Sequence, residues 1–221
     1  MFKKLAGKTL IHTVLILTSL LSIFPFIWLT STSLKGLGED IFAYPPKLIP
    51  TDFTWANYID VWGKVDFMAY FWNSVIVAAL TVLLNLILSS LAAYPLARMQ
   101  FKGKKFVFFA ILATIMIPFQ AIMLPIYIIT LKLHLIDSVN NVMGYIGLVM
   151  PFAVSAFGIF LMRQAFLKVP KEVEEAAIVD GCNVFQMFTR VVLPMVKPTL
   201  AVLAVFTFIG SWGEFLWPSI M

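Results

Sequence analysis

Five apolar runs, each long enough to cross a lipid bilayer, restrict this chain more than any other feature. They cover residues 10–30, 67–96, 106–131, 142–166 and 199–221. A hydrocarbon core about 30 Å thick needs roughly 20 apolar residues of helix. Inside it every backbone N–H and C=O must be satisfied within the protein, which a helix does segment by segment. The expected fold class is therefore all-α: a polytopic α-helical membrane protein with five transmembrane helices. Composition agrees, with 61 % hydrophobic and 12 % charged residues, against about 25 % charged in soluble domains.

The first run follows Lys3, Lys4 and Lys8, the order found in a secretory signal peptide. Its length is that of a full crossing and no A-x-A cleavage pattern follows, so an uncleaved first helix is expected. The net charge of +5 sits in short clusters between apolar runs. No continuous basic face remains for nucleic acid; the expected partner of those clusters is the lipid bilayer. With the N-terminus in the cytoplasm, twelve Lys and Arg lie in inside segments and four (Lys35, Lys47, Lys64, Lys132) outside, the bias of the positive-inside rule. The lone Cys182 and the isolated His12 and His134 offer neither a disulfide framework nor a metal site.

Residues 35–66 differ from the rest. They combine Pro45, Pro46 and Pro50 with several acids and with Phe42, Tyr44, Phe53, Trp55, Tyr58 and Trp62. Prolines break regular structure, and aromatics at this density suit a packed cap or a membrane-interface element. An ordered extracytoplasmic connection is expected. Residues 1–66 thus form a first region and 67–221 a second. In the latter, Pro118 and Pro125 should kink or unwind the third span, and a short connection at 132–141 precedes the fourth.

The polar stretch 167–198 lies between the fourth and fifth runs. Pro170 stands at a helix start, Glu172, Glu174 and Glu175 complement the positive end of that helix, and Gly181 after Asp180 is a natural stop. A second helix over 184–193 should end or kink at Pro194. Such a hairpin either docks on another chain, with Ala176 and Ala177 beside Gly181 keeping one surface slim, or merely connects two spans. Its residues alone leave both readings open.

The spacing Glu175-Ala176-Ala177, three residues, Gly181, nine residues, Val191, one residue, Leu193-Pro194 resembles the EAA loop of bacterial binding-protein-dependent ABC importer permeases, E-A-A-x3-G-x9-I-x-L-P, with Val191 as the one departure. Further stretches resemble the carbohydrate-uptake branch, in particular its maltose-type second permease: Tyr44-Pro45-Pro46-Lys47, Asn73-Ser74, Leu91-Ala92-Ala93-Tyr94, Pro118-Phe119-Gln120, Phe157-Gly158-Ile159-Phe160 and Glu214-Phe215-Leu216-Trp217-Pro218. Gly213 stands where Asn or another polar residue is usual there.

The resemblance implies the type I importer permease fold, apparently lacking the family's sixth, C-terminal span. It implies a coupling loop at 167–198 in which Glu175, Ala176, Ala177 and Gly181 dock on an ATP-binding subunit, while Leu193 and Pro194, beside Val191, set the turn back into the membrane. The implied partners are a dimer of ATP-binding subunits, a second homologous permease and an extracytoplasmic solute-binding protein, in a bacterial inner membrane. The implied cargo is a sugar, with a non-sugar solute as the alternative.

No G-x4-G-K-[ST] segment occurs in this sequence. A transporter subunit rather than an enzyme is expected, with no cofactor of its own and with ATP and Mg bound by the partner. Polar residues at membrane depth are functional candidates by default. Glu214 is placed either on the translocation path or at an outer boundary beside Trp212 and Trp217. Gln120, between Pro118 and Pro125, is a second path candidate. Asn73 suits interfacial anchoring and Asn85 an interhelical hydrogen bond. A secondary transporter driven by an ion gradient would need ionisable pairs within the spans, and an intramembrane enzyme a cluster of catalytic side chains; neither pattern is present.

Overall fold

Among the described residues all regular structure is helical, apart from one isolated bridge between Lys35 and Phe53. The computed structural model describes residues 2–45, 47–136 and 142–221. Pro46 of the proline motif and residues 137–141 of the expected short connection lie outside them. The chain forms two compact units, one ending at Tyr70 and one running from Phe71 to Met221.

Among the described residues three helices are long and apolar enough to cross a membrane: Gly7–Ser33, within α1 (Phe2–Ser33); α3 (Phe67–Arg98); and Lys197–Ile220. The two remaining runs are broken. α4 (Lys104–Thr114) and α5 (Phe119–Lys132) meet at 96°, and Val142–Phe152, which holds α6 (Val142–Val149), meets α7 (Ala156–Leu167) at 60°. Counting each bent pair as one span gives five, the number expected from the apolar runs.

The two breaks have local causes. Pro118 lacks an N–H and holds extended backbone (φ −64°, ψ 139°) before α5 restarts at Phe119, while it disfavours helix at the preceding residue. Pro125, by contrast, stays inside α5. The bend in the fourth run was not expected. Pro151 sits in a 3₁₀ turn, Met150–Phe152, and Ser155 adopts extended backbone and caps α7, its Oγ accepting from the Gly158 N–H at 3.0 Å. Pro151 and the Ser-x-x-Gly of a helix start were the legible signals.

In the first unit, α2 (Ala56–Lys64) follows an irregular segment that is ordered by side-chain to backbone bonds. Asn57 Nδ2 donates to the carbonyls of Ser33 (3.0 Å) and Lys35 (2.8 Å). Lys35 is only 3 % exposed; its Nζ donates to the Lys47 carbonyl at 2.8 Å and lies 5.1 Å from the Trp28 ring centre. Glu39 Oε2 accepts from the N–H groups of Thr51 (2.9 Å) and Asp52 (3.3 Å), and Oε1 is 3.9 Å from the Lys35 ammonium.

Burial pushes the Glu39 carboxyl up, but the Thr51 and Asp52 N–H donors and the Lys35 charge outweigh it, leaving the group below the ordinary carboxylate range. A carboxyl depressed on folding contributes stability that is present above its unfolded pKa, about 4.3, and is lost as pH falls through the folded value. Limited proteolysis should therefore find segment 34–66 protected at neutral pH and progressively cleaved below about pH 4. Glu39→Gln should flatten that acid response.

The second unit has its core where the last third of α3 meets α7 and the hairpin. Tyr94, Phe166 and Phe188 form a triangle of rings with centroids 5.1 to 6.2 Å apart. Ala93, Met162 and Val192 close around them, each fully buried. Alanine at 93 and 97 lets the neighbouring segments approach α3 closely, the small-residue packing usual for helices in lipid.

Candidate functional site

Two places concentrate polar groups: the hairpin after α7 and a cavity between the spans. In the hairpin, α8 (Lys171–Val179) starts after Pro170, with Glu172 and Glu174 in its first turn. It ends in a Schellman motif: the Gly181 N–H donates to the Ile178 carbonyl and the Cys182 N–H to the Ala177 carbonyl, both at 3.0 Å. Gly181 takes φ +80°, which a side chain would strain. Asn183 and Gln186 then cap each other's backbone N–H groups at 2.9 and 3.0 Å, a capping box that opens α9 (Val184–Gln186).

The chain stays helical past the expected stop. Met187–Val192 is a π-helical stretch that leads into α10 (Leu193–Met195), and the turn comes at Val196 before α11 (Lys197–Trp212). Pro194 cannot donate to the carbonyl four residues back; a wider register upstream absorbs that missing bond without ending the helix.

Of the motif residues, Glu175, Ala176, Gly181 and Pro194 are exposed, while Val191 and Leu193 are half-buried against the core. Ala177 corrects the docking surface expected from sequence. Its methyl turns inward, 7 % exposed, because α8 packs that face on the core cluster. The surface α8 leaves open is instead Glu175 and Ala176 with the bare apolar side chains of Ile178 and Val179. Neither of those two residues stood out in the sequence.

Basic residues counted in the sequence as topology signals converge on the end of α3, and Arg98 among them ties the hairpin to that helix. Arg98 Nε lies 2.9 Å from Glu174 Oε1, with the two side chains 8 % and 18 % exposed, and the same guanidinium donates to the Val169 carbonyl. Arg163 Nε donates to the Leu96 carbonyl at 3.0 Å, and its guanidinium sits 4.0 Å over the Phe108 ring. Lys104 Nζ donates to the Ala97 and Met99 carbonyls at 3.1 and 2.8 Å. Three cations thus surround the C-terminal end of α3, where free carbonyls and the helix dipole favour positive charge. Their partners are up to 76 residues away in the chain (Arg98 to Glu174), beyond the reach of any local pattern.

The cavity has a volume of about 480 Å³. α3 contributes Thr81 and Asn85, α5 Phe119 and Ile122, the break before α7 Phe152 and Ser155, and α11 Phe206, Thr207, Gly210 and Ser211; Glu214, after α11, also lines it. Asn85, 2 % exposed, is the hub. Its Nδ2 donates to the Phe152 carbonyl freed by the break (3.1 Å), and its Oδ1 accepts from Ser89 (3.2 Å) and Ser155 (3.4 Å). Asn73 accepts a 2.6 Å bond from the Tyr145 hydroxyl.

Glu214 lines the cavity and also caps α12 (Leu216–Ile220): its Oε1 accepts from the N–H groups of Leu216 (3.0 Å) and Trp217 (3.1 Å). Trp217 is no surface anchor for it. The ring is fully buried, donates Nε1–H to the Gly147 carbonyl at 3.2 Å and meets Phe119 edge-on. Trp212 remains largely exposed, stacked on Phe208. Gln120 is exposed and outside the cavity lining; the first residue of α5, Phe119, turns inward in its place. Among the described residues no three His, Cys, Asp or Glu side chains converge to hold a metal.

Residues 85–221 match the family described as "Binding-protein-dependent transport system inner membrane component". The arabinooligosaccharides transport system permease protein AraQ of Bacillus subtilis is 35 % identical over 212 residues, covering 92 % of this chain and 71 % of that protein. The diacetylchitobiose uptake system permease protein NgcG of Streptomyces coelicolor is 31 % identical over 94 % of this chain and 67 % of its own length. Among solved structures, a chain from a bacterial ABC transporter that imports the acidic polysaccharide alginate superposes with a TM-score of 0.81 at 26 % identity, over 97 % of this chain and 74 % of that one.

Proposed function

This chain belongs to the family of binding-protein-dependent transport system inner membrane components, and from that premise we propose that it is a permease subunit carrying an oligosaccharide into a bacterial cell. Sugar as cargo is supported by the named relatives, permeases for arabinooligosaccharides and diacetylchitobiose. The chain is a multi-pass membrane protein. The charge bias of its loops supports a cytoplasmic N-terminus, which puts the hairpin on the cytoplasmic side after an even number of crossings.

The observation that carries the reading is the hairpin itself. It offers Glu175, Ala176, Ile178 and Val179 outward, and it is tied by the Arg98–Glu174 pair to α3, the helix that supplies Thr81 and Asn85 to the cavity. A dimer of ATP-binding subunits holding ATP and Mg would take that exposed face. Closing on ATP, it would push the hairpin, and the buried ion pair would pass the displacement to α3. A second homologous permease would complete the pathway, and an extracytoplasmic binding protein would deliver the sugar. Such coupling is reciprocal: pore state must alter nucleotide affinity.

The test places a cysteine at Ala176, on the exposed face, in a Cys182→Ser background. The assembled transporter carries a matching cysteine on the ATP-binding subunit. A specific adduct whose yield changes with ATP is the expected result. A stable, assembled complex that gives no adduct at Ala176 or at Val179 would sink the coupling role.

A further inference from the structure

In the first unit, α2 stands between the end of α1 and the start of α3, and its two sides differ. At about 100° per residue, Tyr58, Ile59 and Trp62, with Trp55 at the N-cap, fall on one face, and Asp60 and Lys64 on the opposite one. Asp60 and Lys64 pair at 2.6 Å and remain open to water. Trp55, Ile59 and Trp62 are each more than half exposed.

Beside that apolar face runs a groove of about 380 Å³, lined by Ser33, Asn57, Tyr58, Val61, Trp62 and Phe67. Its hydroxyls and amide donor are already committed. The Ser33 and Tyr58 hydroxyls lie 2.7 Å apart, and Asn57 Nδ2 donates to the Ser33 and Lys35 carbonyls. What the groove presents is apolar: Val61, the Tyr58 ring, and the rings of Trp62 and Phe67, which meet edge to face at 4.9 Å. A groove whose polar groups are paired offers little to a hydroxylated or charged solute and suits hydrocarbon.

The occupant follows from where the groove opens. Ser33 is the last residue of α1 and Phe67 the first of α3, and both helices are long and apolar enough to cross a membrane. The groove therefore continues the apolar surface of those helices at the level where they leave the bilayer. Only Val65 and Asp66 separate α2 from α3, which keeps α2 at that level. Trp and Tyr concentrate at the membrane–water interface. An amphipathic helix lies in that plane with its apolar face buried about 5–10 Å into the boundary between headgroups and acyl chains.

We propose that α2 is an interfacial anchor and that the groove beside it is a phospholipid site. It takes the glycerol-proximal part of one acyl chain from the leaflet that α1 leaves at Ser33 and α3 re-enters at Phe67. The Asp60–Lys64 pair faces the water above.

The test uses the full transporter in nanodiscs of phosphatidylethanolamine and phosphatidylglycerol, in the Cys182→Ser background. A nitroxide on Ile59→Cys should collide with oxygen, relative to a water-soluble nickel chelate, several-fold more often than one on Lys64→Cys. A phosphatidylglycerol with a diazirine near the start of its acyl chain should label residues 58–67 on illumination. Val61→Trp, which fills the groove, should remove that adduct several-fold while adducts elsewhere on the chain persist. Equal accessibility at Ile59 and Lys64 overturns the proposal. So does a water-like Ile59 that becomes shielded only when the extracytoplasmic binding protein is added, which would assign the face to that protein. Exclusion of both oxygen and nickel from Ile59 would assign it to a second permease, with the same consequence. A lipid-like Ile59 without an adduct on 58–67, or with one that Val61→Trp leaves intact, rejects the groove as a lipid site.

Discussion

Replacing Arg98 by methionine should lower the stability of the chain by about 3–5 kcal/mol, the usual consequence of removing one member of a buried ion pair. Arg98 and Glu174 are 2.9 Å apart and mostly shielded from water. Without the guanidinium, Glu174 is left as an uncompensated buried charge and the Val169 carbonyl loses its donor. The double variant Arg98→Met, Glu174→Met removes both charges and should recover most of the loss, because apolar side chains of similar size often replace a buried pair at little cost. Reversible unfolding of the purified protein in mixed micelles measures both. If the pair also transmits motion, the double variant restores stability while ATP hydrolysis in the assembled transporter still fails to respond to the binding protein. Full recovery of both would reduce the pair to a structural tie.

Asn85→Leu should be the second severe change. The side chains are close in volume, so the loss is one of hydrogen bonds and not of packing. The Phe152 carbonyl, Ser89 and Ser155 would each lose a partner, at about 1–3 kcal/mol for every buried group left unpaired. α7 packs closely on α3 at this point: a methyl on Gly158 would lie 2.6 Å from Ser89 Oγ and 2.8 Å from Ser155 Oγ. Hydrogen exchange at the Gly158 amide, which Ser155 caps, should accelerate together with the drop in unfolding midpoint. Unchanged protection there would show that Pro151 and Ser155 hold the bend unaided.

Much of the architecture was legible because lipid imposes a one-dimensional rule. Length and apolarity alone place membrane crossings, and the helices follow the apolar runs closely: α3 as one unbroken span, the third run bent at Pro118 as its missing N–H requires. The hairpin was equally readable, since Pro170, the early acids and Gly181 act on their own backbone or on that of their immediate neighbours. The family followed from motif spacing in that same segment and was met again in the match over 85–221.

What failed to show in the sequence was direction. Whether Ala177 or Ala176 faces out depends on which side of a nine-residue helix finds a core to pack on, and that core comes from α3, α7 and the π-helical stretch. The sequence left Trp217 open as an outer-boundary aromatic beside Glu214; in the structure Gly147 accepts from its N–H and Phe119 supplies a ring for it to lie against. The sequence by itself determined that this chain lives in a membrane, how many apolar runs it brings there, and that a polar hairpin stands ready for a partner. Those properties arise from near neighbours along the chain and from the solvent around it. The tertiary structure alone decided that Arg98 grips Glu174, that Asn85 holds a bend 67 residues away, and that Thr207, Ser211 and Glu214 share one cavity with Thr81. Hydrogen bonds, ion pairs and cavities act over a few ångströms of space, and distance along the chain does not encode which residues that space brings together.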